Sequence, residues 1–446
     1  MRFYRVIIAA LMLGCSLRAQ TWVSMGLDTL KIGHDYTSAD LIFAKGSLVY
    51  AGTNKGLYRS TDGGASWLRL VVASGLQDSV VNALAVAGHD PPTIFVSFGS
   101  FSSPSTGNRS DVYRSLDGGD SWTTIFDSTE TEKPLVIDVK ISPVDQNLVF
   151  VVNREPAPAG NLDRVFRSTD GGITWSYVSG GFGSSSHGVE IDIGLHPGDL
   201  YKAYATGDDQ FSLSFYESTD GGINWAWKSY LSGLNALQVM PDLRGTGKVY
   251  VLSSGTINSS QDGITWEQDT RLGSRNKGVY RLRQHPFNQN VFLAATGDSI
   301  WMKVGDGSEW RAVEGGPPTG RYNDLFIDST NGAAYAGGNL GLFKVNVLTD
   351  VPGERRAIPS QFTLHQNYPN PFNPSTTIRY DLPGIATVRL AVFDMLGREI
   401  AILVNEEQEA GSHVVRFNAN DLQSGTYFLI LHVGNYRFTR KMILLR

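Results

Sequence analysis

Cysteine is almost missing from this chain, with Cys15 alone among 446 residues. No disulfide framework can form, so the fold must be held by its core, which a chain of this length can supply. Charge is sparse as well, at 18% of residues with a formal net charge of -5. A basic stripe of the kind that binds nucleic acid is therefore not expected, and nucleic acid is dropped as a partner. Beyond the first twenty residues no apolar run approaches the ~20 needed to cross a bilayer, so no transmembrane segment is expected. Few charges, 49 glycines and 11% aromatics disfavour long helices and favour short strands joined by tight turns. We expect an almost all-β protein of at least two domains.

The N-terminus has the layout of a secretory signal peptide over residues 1–19. Arg2 and Arg5 precede an apolar run from Val6 to Leu13, and small and polar residues follow. Cleavage after Ala19 leaves a mature chain without cysteine; the alternative is lipidation of Cys15 in "MLGC".

A ten-residue string then recurs: "YRSTDGGASW" (58–67), "YRSLDGGDSW" (113–122), "FRSTDGGITW" (166–175) and "YESTDGGINW" (216–225). Two worn copies follow, "SSQDGITW" (259–266) and "VGDGSEW" (304–310). The aspartates Asp62, Asp117, Asp170, Asp220, Asp262 and Asp306 lie 55, 53, 50, 42 and 44 residues apart. A period of this size marks propeller blades or similar arrays, and the apolar stretches between copies read as strands. "YAGTNKGLYRS" (50–60) has a late echo in "YAGGNLGLFKV" (335–345) that lacks the box, while "TWVSMGL" (21–27) looks like the outer strand that follows each box. If the N-terminal strand completes the last blade, the ring closes and seven blades result; six remain if the copy near Asp306 is a loop insertion.

The box itself reads as a hairpin. Asp-Gly and Gly-Gly supply positive φ, the carboxylate can accept N–H bonds within its own turn, and the tryptophan can bury its ring between blades. One carboxylate per copy is too few for a calcium loop, so no metal is expected. The pattern S-x-D-x-G-x-[ST]-W resembles the Asp-box, or BNR repeat, of sialidases, sortilin-like receptors, oligoxyloglucan-processing hydrolases and YCF48-type assembly factors. It is carried by Ser60, Asp62, Gly64 and Trp67; by Ser115, Asp117, Gly119 and Trp122; by Ser168, Asp170, Gly172 and Trp175; and by Ser218, Asp220, Gly222 and Trp225, with Asn224 replacing Ser or Thr in the fourth copy. In those families the box lies at the blade periphery, so the resemblance implies a propeller, here over residues 20–348, and says little about chemistry.

After a Pro- and charge-containing linker (349–360), alternating apolar stretches predict a small Ig-like β-sandwich over 361–446. "QNYPNPFNPSTTI", "VFDMLGREI", "SGTYFL" and the terminal "RKMILLR" resemble, in order, the type A C-terminal sorting domain of the type IX secretion system of Bacteroidota. The resemblance implies export by that machinery to the outside or the outer-membrane surface. The signal would be carried by Asn367, Pro369, Asn370, Pro371, Phe372, Asn373, Pro374, Gly397, Arg398, Gly425, Tyr427, Arg440 and Lys441.

For the propeller three readings stay open, one of them a cell-envelope assembly or structural factor like the YCF48 type, which sequence alone does not separate from a binding platform. A binding platform would take a protein or glycan ligand at a mouth rimmed by "SFGSFSSPSTGNRSD" (97–111) and "SGGFGSSSHG" (179–188), with Phe101, Tyr113 and Phe182 as stacking aromatics. A glycoside hydrolase, sialidase-like or xyloglucanase-like, would need paired carboxylates or an arginine cluster at the channel mouth, for which Asp138, Glu190, Asp192, Arg281, Arg283 and Asp324 are the candidates. The same residues could be polar positions of strands that pack on the next blade. No cofactor is implied.

Overall fold

The computed structural model describes residues 22–445 except 28–29, 33–39, 77–78, 88–90, 100–110, 127–134, 158–159, 179–181, 183–189, 209–212, 232–235, 254–255, 270–271, 273–277, 314–319, 347–361, 383–385, 409–410 and the single positions 245, 287, 307 and 435. The expected signal peptide (1–19), Cys15, Phe101 and the expected linker (349–360) lie outside the described residues.

Among the described residues, seven four-stranded antiparallel sheets follow one another along the chain, each ordered from an inner to an outer strand, six as sequential meanders and the seventh completed by a strand from the N-terminus. Their inner strands are Ile42–Lys45, Val81–Ala87, Leu135–Ile141, Glu190–Leu195, Ala236–Pro241, Val279–Gln284 and Tyr322–Ile327. Each packs on the next and the seventh returns to the first, so the sheets are blades around one axis. The copy near Asp306 has a sheet of its own, Val279–Gln284, Val291–Thr296, Ile300–Val304 and Arg311–Ala312, rather than being an insertion.

The second strands explain why a ring is needed. Thr93–Phe98, Val291–Thr296 and Ala333–Gly338 are buried at every position. A strand that is covered on both faces needs a blade on either side, so these stretches read as continuous apolar runs instead of alternating ones.

The seam lies in the seventh sheet, whose outer strand is Val23–Ser24, paired with Lys344 and Phe343 of the strand Gly341–Asn346. Met25 N extends the pairing to Leu342 O at 2.9 Å. Trp22, Met25 and Leu27 are buried there, so the N-terminal strand contributes core as well as ladder.

Towards the C-terminus two further sheets face each other across a shared core. One joins Thr363–Leu364, Ser375–Leu382 and Gly411–Asn418; the other joins Glu399–Gln408, Ala386–Phe393, Gly425–Val433 and Tyr436–Leu444. Strict alternation in Ser375–Leu382 turns Ile378, Tyr380 and Leu382 inward onto Leu390, Leu429 and Met442.

Deleting residues 22–27 should open the ring. Removing one buried Leu or Met costs about 2–5 kcal/mol, and in domains of 150–250 residues each kcal/mol is worth about 2–4 °C. We expect the calorimetric melting temperature to fall by about 10 °C or more; an unchanged midpoint would refute closure by this strand.

Candidate functional site

Polar side chains from opposite sides of the ring meet on the axis, near the mouth where the inner strands begin. In five of the seven inner strands the register shifts near the start, and Asp138, Gln238, Arg281 and Asp324 each sit directly after such a shift, as does Ala83. A bulge re-aims the residue it displaces, which accounts for charged residues inside otherwise apolar strands. Asp138, Asp192, Arg281 and Asp324 are almost fully buried. Lys140 and Arg283 lie two residues further along their strands and are partly exposed.

The contacts run within one strand, between neighbouring blades and, through Asp40, across the ring. Arg281 Nε is 3.2 Å from Asp324 Oδ1, and Lys140 Nζ is 3.0 Å from Asp138 Oδ2. Asp40, from the segment just before the first inner strand, pairs with Arg283 from the sixth blade and lies 3.7 Å from Lys140 of the third and 3.9 Å from Arg281. Burial works against charge on Asp40, but Arg283, Lys140 and Arg281 outweigh it and hold its carboxyl well below the usual range. Burial also opposes the charge of Lys140, and Asp138 and Asp40 overcome it, so the ammonium stays protonated beyond its ordinary range. For Asp192, burial wins over the pull of Lys140 and pushes the carboxyl up to about 7.

Several of these groups also bond the backbone of the next blade. Asp324 Oδ2 accepts the N–H groups of Leu41 and Ile42 at 2.8 and 2.9 Å. Asp192 Oδ2 accepts that of Val239 at 2.6 Å. Gln238 both accepts from Leu282 N and donates to Leu282 O, and Asp163, held by Arg154, accepts from Ile191 N at 2.8 Å. Sequence reasoning missed Asp40, Gln238 and the Arg154–Asp163 pair. Gln238 had a signal, since it follows Ala236 at the same offset as Asp138 follows Val136; Asp40 lies in no repeat. Glu190 pairs with Asp208 through its backbone, and its side chain lies outside the described residues.

Chain direction decides what shares this mouth. The second strand of each blade ends where the first begins, so Phe98, Val112 and the start of Glu190–Leu195 lie at the cluster's end of their blades, while the Asp-box hairpins sit at the opposite end. Residues 100–110 and 183–189, which carry most of the two expected rim stretches, lie outside the described residues. Tyr113 packs edge-on to Phe98, and Phe182 packs on Tyr216 and Trp225, so both have aromatic neighbours within the protein.

The boxes are self-contained turns. In the first, Ser60 Oγ donates to Asp62 Oδ1 at 2.8 Å and accepts Gly64 N, while Asp62 accepts Ser66 N at 2.9 Å and Ser66 Oγ at 2.6 Å. The same bonds recur around Asp117, Asp170 and Asp220, with Asn224 Nδ2 taking the hydroxyl's place in the fourth copy. Those bonds, led by the Thr174 hydroxyl, lower the Asp170 carboxyl to about 2. Trp225 is buried, whereas Trp67, Trp122 and Trp175 are half-buried. Trp67 Nε1 and Trp175 Nε1 donate to Met25 O and Ile125 O on the preceding blade, while Trp122 and Trp225 bond within their own boxes. The arginine before the box serine, unread in the sequence, reaches the next box: Arg59 to Gly118 O, Arg114 to Gly171 O and Arg167 to Gly221 O, at 2.6–2.8 Å.

In the C-terminal sandwich the proline-rich motif docks on the last strand. Asn370 donates to Lys441 O and accepts Ile443 N, and buried Phe372 exchanges backbone bonds with Ile443 and Leu445. Asn367 Nδ2 bonds Pro369 O and Thr376 Oγ1. Pro369 and Pro371 follow cis peptide bonds, and Pro374 O accepts Ala419 N, one residue after Asn373. Gly397 closes a turn in which Arg398 Nε meets Asp394 at 2.7 Å. Gly425 opens the strand that carries Tyr427, whose hydroxyl donates to Gln423 O, and Arg440 Nε donates to Leu364 O.

Residues 366–445 match the secretion system C-terminal sorting domain family, and residues 166–177 match the BNR/Asp-box repeat. The chain thus carries a type IX sorting tail, which supports a secreted or cell-surface protein. A xyloglucanase of a Paenibacillus species is 30% identical over 145 residues, which is 30% of this chain and only 13% of that protein. Among solved structures, YCF48 bound to D1 peptide is 15% identical with a TM-score of 0.52, covering 74% of this chain and 96% of that one. The GH74 xyloglucanase from Xanthomonas campestris is 16% identical with a TM-score of 0.56, covering 80% and 59%. At these identities the likeness is one of fold, the all-β propeller. No helix among the described residues is long and apolar enough to cross a membrane, and the described residues contain no cluster suited to a metal ion.

Gly172 combines φ of +87° with a position where a Cβ would lie 2.6 Å from Ile125 Cδ1 of the preceding blade. Gly172→Ala should therefore cost about 1–3 kcal/mol in urea unfolding, whereas Gly198→Ala, which meets open space, should cost less than about 1 kcal/mol. Equal losses would refute the box glycine as an interblade contact.

Proposed function

We propose that the propeller, residues 20–348, is a binding platform displayed outside the cell, taking a protein or glycan ligand at the mouth where the inner strands begin, and that residues 361–446 are its export address. One observation carries the reading. The carboxylates suited to acid–base work at that mouth are committed elsewhere: Asp324 to two backbone N–H groups and Arg281, Asp192 to Val239, Asp138 to Lys140. A glycosidase needs two carboxyl groups that reach a glycosidic bond from a cleft, and these three are 0–2% exposed.

Hydrolysis is the second reading, favoured by the stretch of identity with a xyloglucanase and by the near-neutral carboxyl of Asp192, a property of general acids. Incubating the full chain with xyloglucan, sialosides and other plant and microbial polysaccharides, and reading products by mass spectrometry, separates the two. We expect retention of a polysaccharide or surface protein without new oligosaccharides. Products that vanish in Asp192→Asn or Glu190→Gln would overturn the platform reading.

The export assignment has its own test. Deleting residues 361–446 should leave the protein in the periplasm by cell fractionation, and normal export of the truncated chain would sink it.

A further inference from the structure

Asp40 differs from the other acids of the cluster. It stands outside the inner strands, its side chain is 38% exposed, and the bonds and ion pairs of its carboxylate run to cations. Asp324 and Asp192 are instead fixed by backbone N–H groups of neighbouring blades. The Asp40 main chain is anchored separately, its carbonyl accepting Leu84 N at 3.2 Å, so the side chain can swing away while the strand entry stays in place.

Charge pairing shows what its departure would leave. Arg281 is matched by Asp324 and Lys140 by Asp138, and burial raises the Asp192 carboxyl to about 7. Arg283, whose guanidinium is partly exposed, is then left with Asp324 at 3.7 Å, an anion it shares with Arg281, and Lys140 and Arg281 lie 3.7 and 3.9 Å from the vacated carboxylate position. We propose that this mouth is a site for a single carboxylate group, held by Asp40 as an internal ligand and taken over by an incoming carboxylate-bearing molecule that displaces it. The planar guanidinium fork fits a carboxylate, and the acids Asp138 and Asp324 beside the position disfavour a dianionic phosphate over a monoanion. The inference rests on the platform reading and gives its mouth a ligand class.

D-glucuronate, with uncharged D-glucose as control, titrated calorimetrically into the full chain tests the exchange. If Asp40 holds the site for roughly 90–99% of the time, its removal tightens apparent affinity about 10- to 100-fold. We expect Asp40→Asn to bind glucuronate that much more tightly than wild type, glucose to bind neither, and Asp40→Asn/Arg283→Gln to lose the gain. Equal affinity in wild type and Asp40→Asn overturns the proposal. Should Asp40→Asn melt lower than wild type, glucuronate must raise its midpoint and not that of the double variant; failure of that rescue overturns it equally. Polysaccharide retention by wild type is scored separately, so absent retention with intact exchange in Asp40→Asn sinks the platform alone, and the reverse result sinks the exchange alone.

Discussion

The bond from the Asp324 carboxylate to the N–H groups of Leu41 and Ile42 holds the last blade to the first, and a ring of blades depends on such a link. A blade of four short strands cannot bury both faces by itself, so its stability is borrowed from neighbours. Break one interface and two blades expose apolar second strands. The chain therefore fastens the seam twice: near the axis through Asp324, and at the rim through Val23–Ser24 on Gly341–Asn346. Between the other blades the same task falls to Asp163, Asp192 and Gln238 near the axis and to Arg59, Arg114 and Arg167 at the rim.

The Asp-box makes sense within that scheme. Its serine and aspartate complete a turn without outside help, which leaves the glycine and tryptophan free to touch the preceding blade and the box carbonyl free to receive an arginine from it. Glu217 replaces that arginine in the fourth blade, where Ser229 Oγ takes over the carbonyl of Gly263 and Glu217 holds Lys202 and Lys228. Worn boxes persist because the work is shared: Asp306 has left the self-contained turn and pairs with Arg244 of the preceding blade at 3.2 Å.

Much of the architecture was legible in the sequence because it is periodic. Repeating boxes mark the hairpins, apolar runs mark the buried second strands, and the unmatched echo at 335–345 pointed to the strand at 21–27. Asp138, Asp192, Arg281, Arg283 and Asp324 were legible as polar residues on inner strands, and the structure brings them into one cluster. What the sequence hides is commitment. Whether Asp192 faces a cleft or the backbone of Val239 depends on a neighbour 47 residues away, and the bulge that turns Asp138 inward has no residue signature. Asp40 was invisible for a further reason: its partners come from the third and sixth blades, and only ring closure brings those to one point.

Burying so many ionisable groups is expensive, and each of them must be paired or neutral to be tolerated. Asp138 and Asp324 meet the requirement by pairing and Asp192 by a carboxyl that burial raises to about 7, all three far from bulk water. Asp40 meets it at the edge of the cluster, where solvent competes and where Lys140 and Arg283 are still partly exposed. A group only 0–2% exposed can change partners only if blades part, at the cost of the interfaces that define the ring. One that is 38% exposed needs only a rotamer change. Function at this mouth, if the ring is to stay intact, must therefore begin with the residue that is least committed to it.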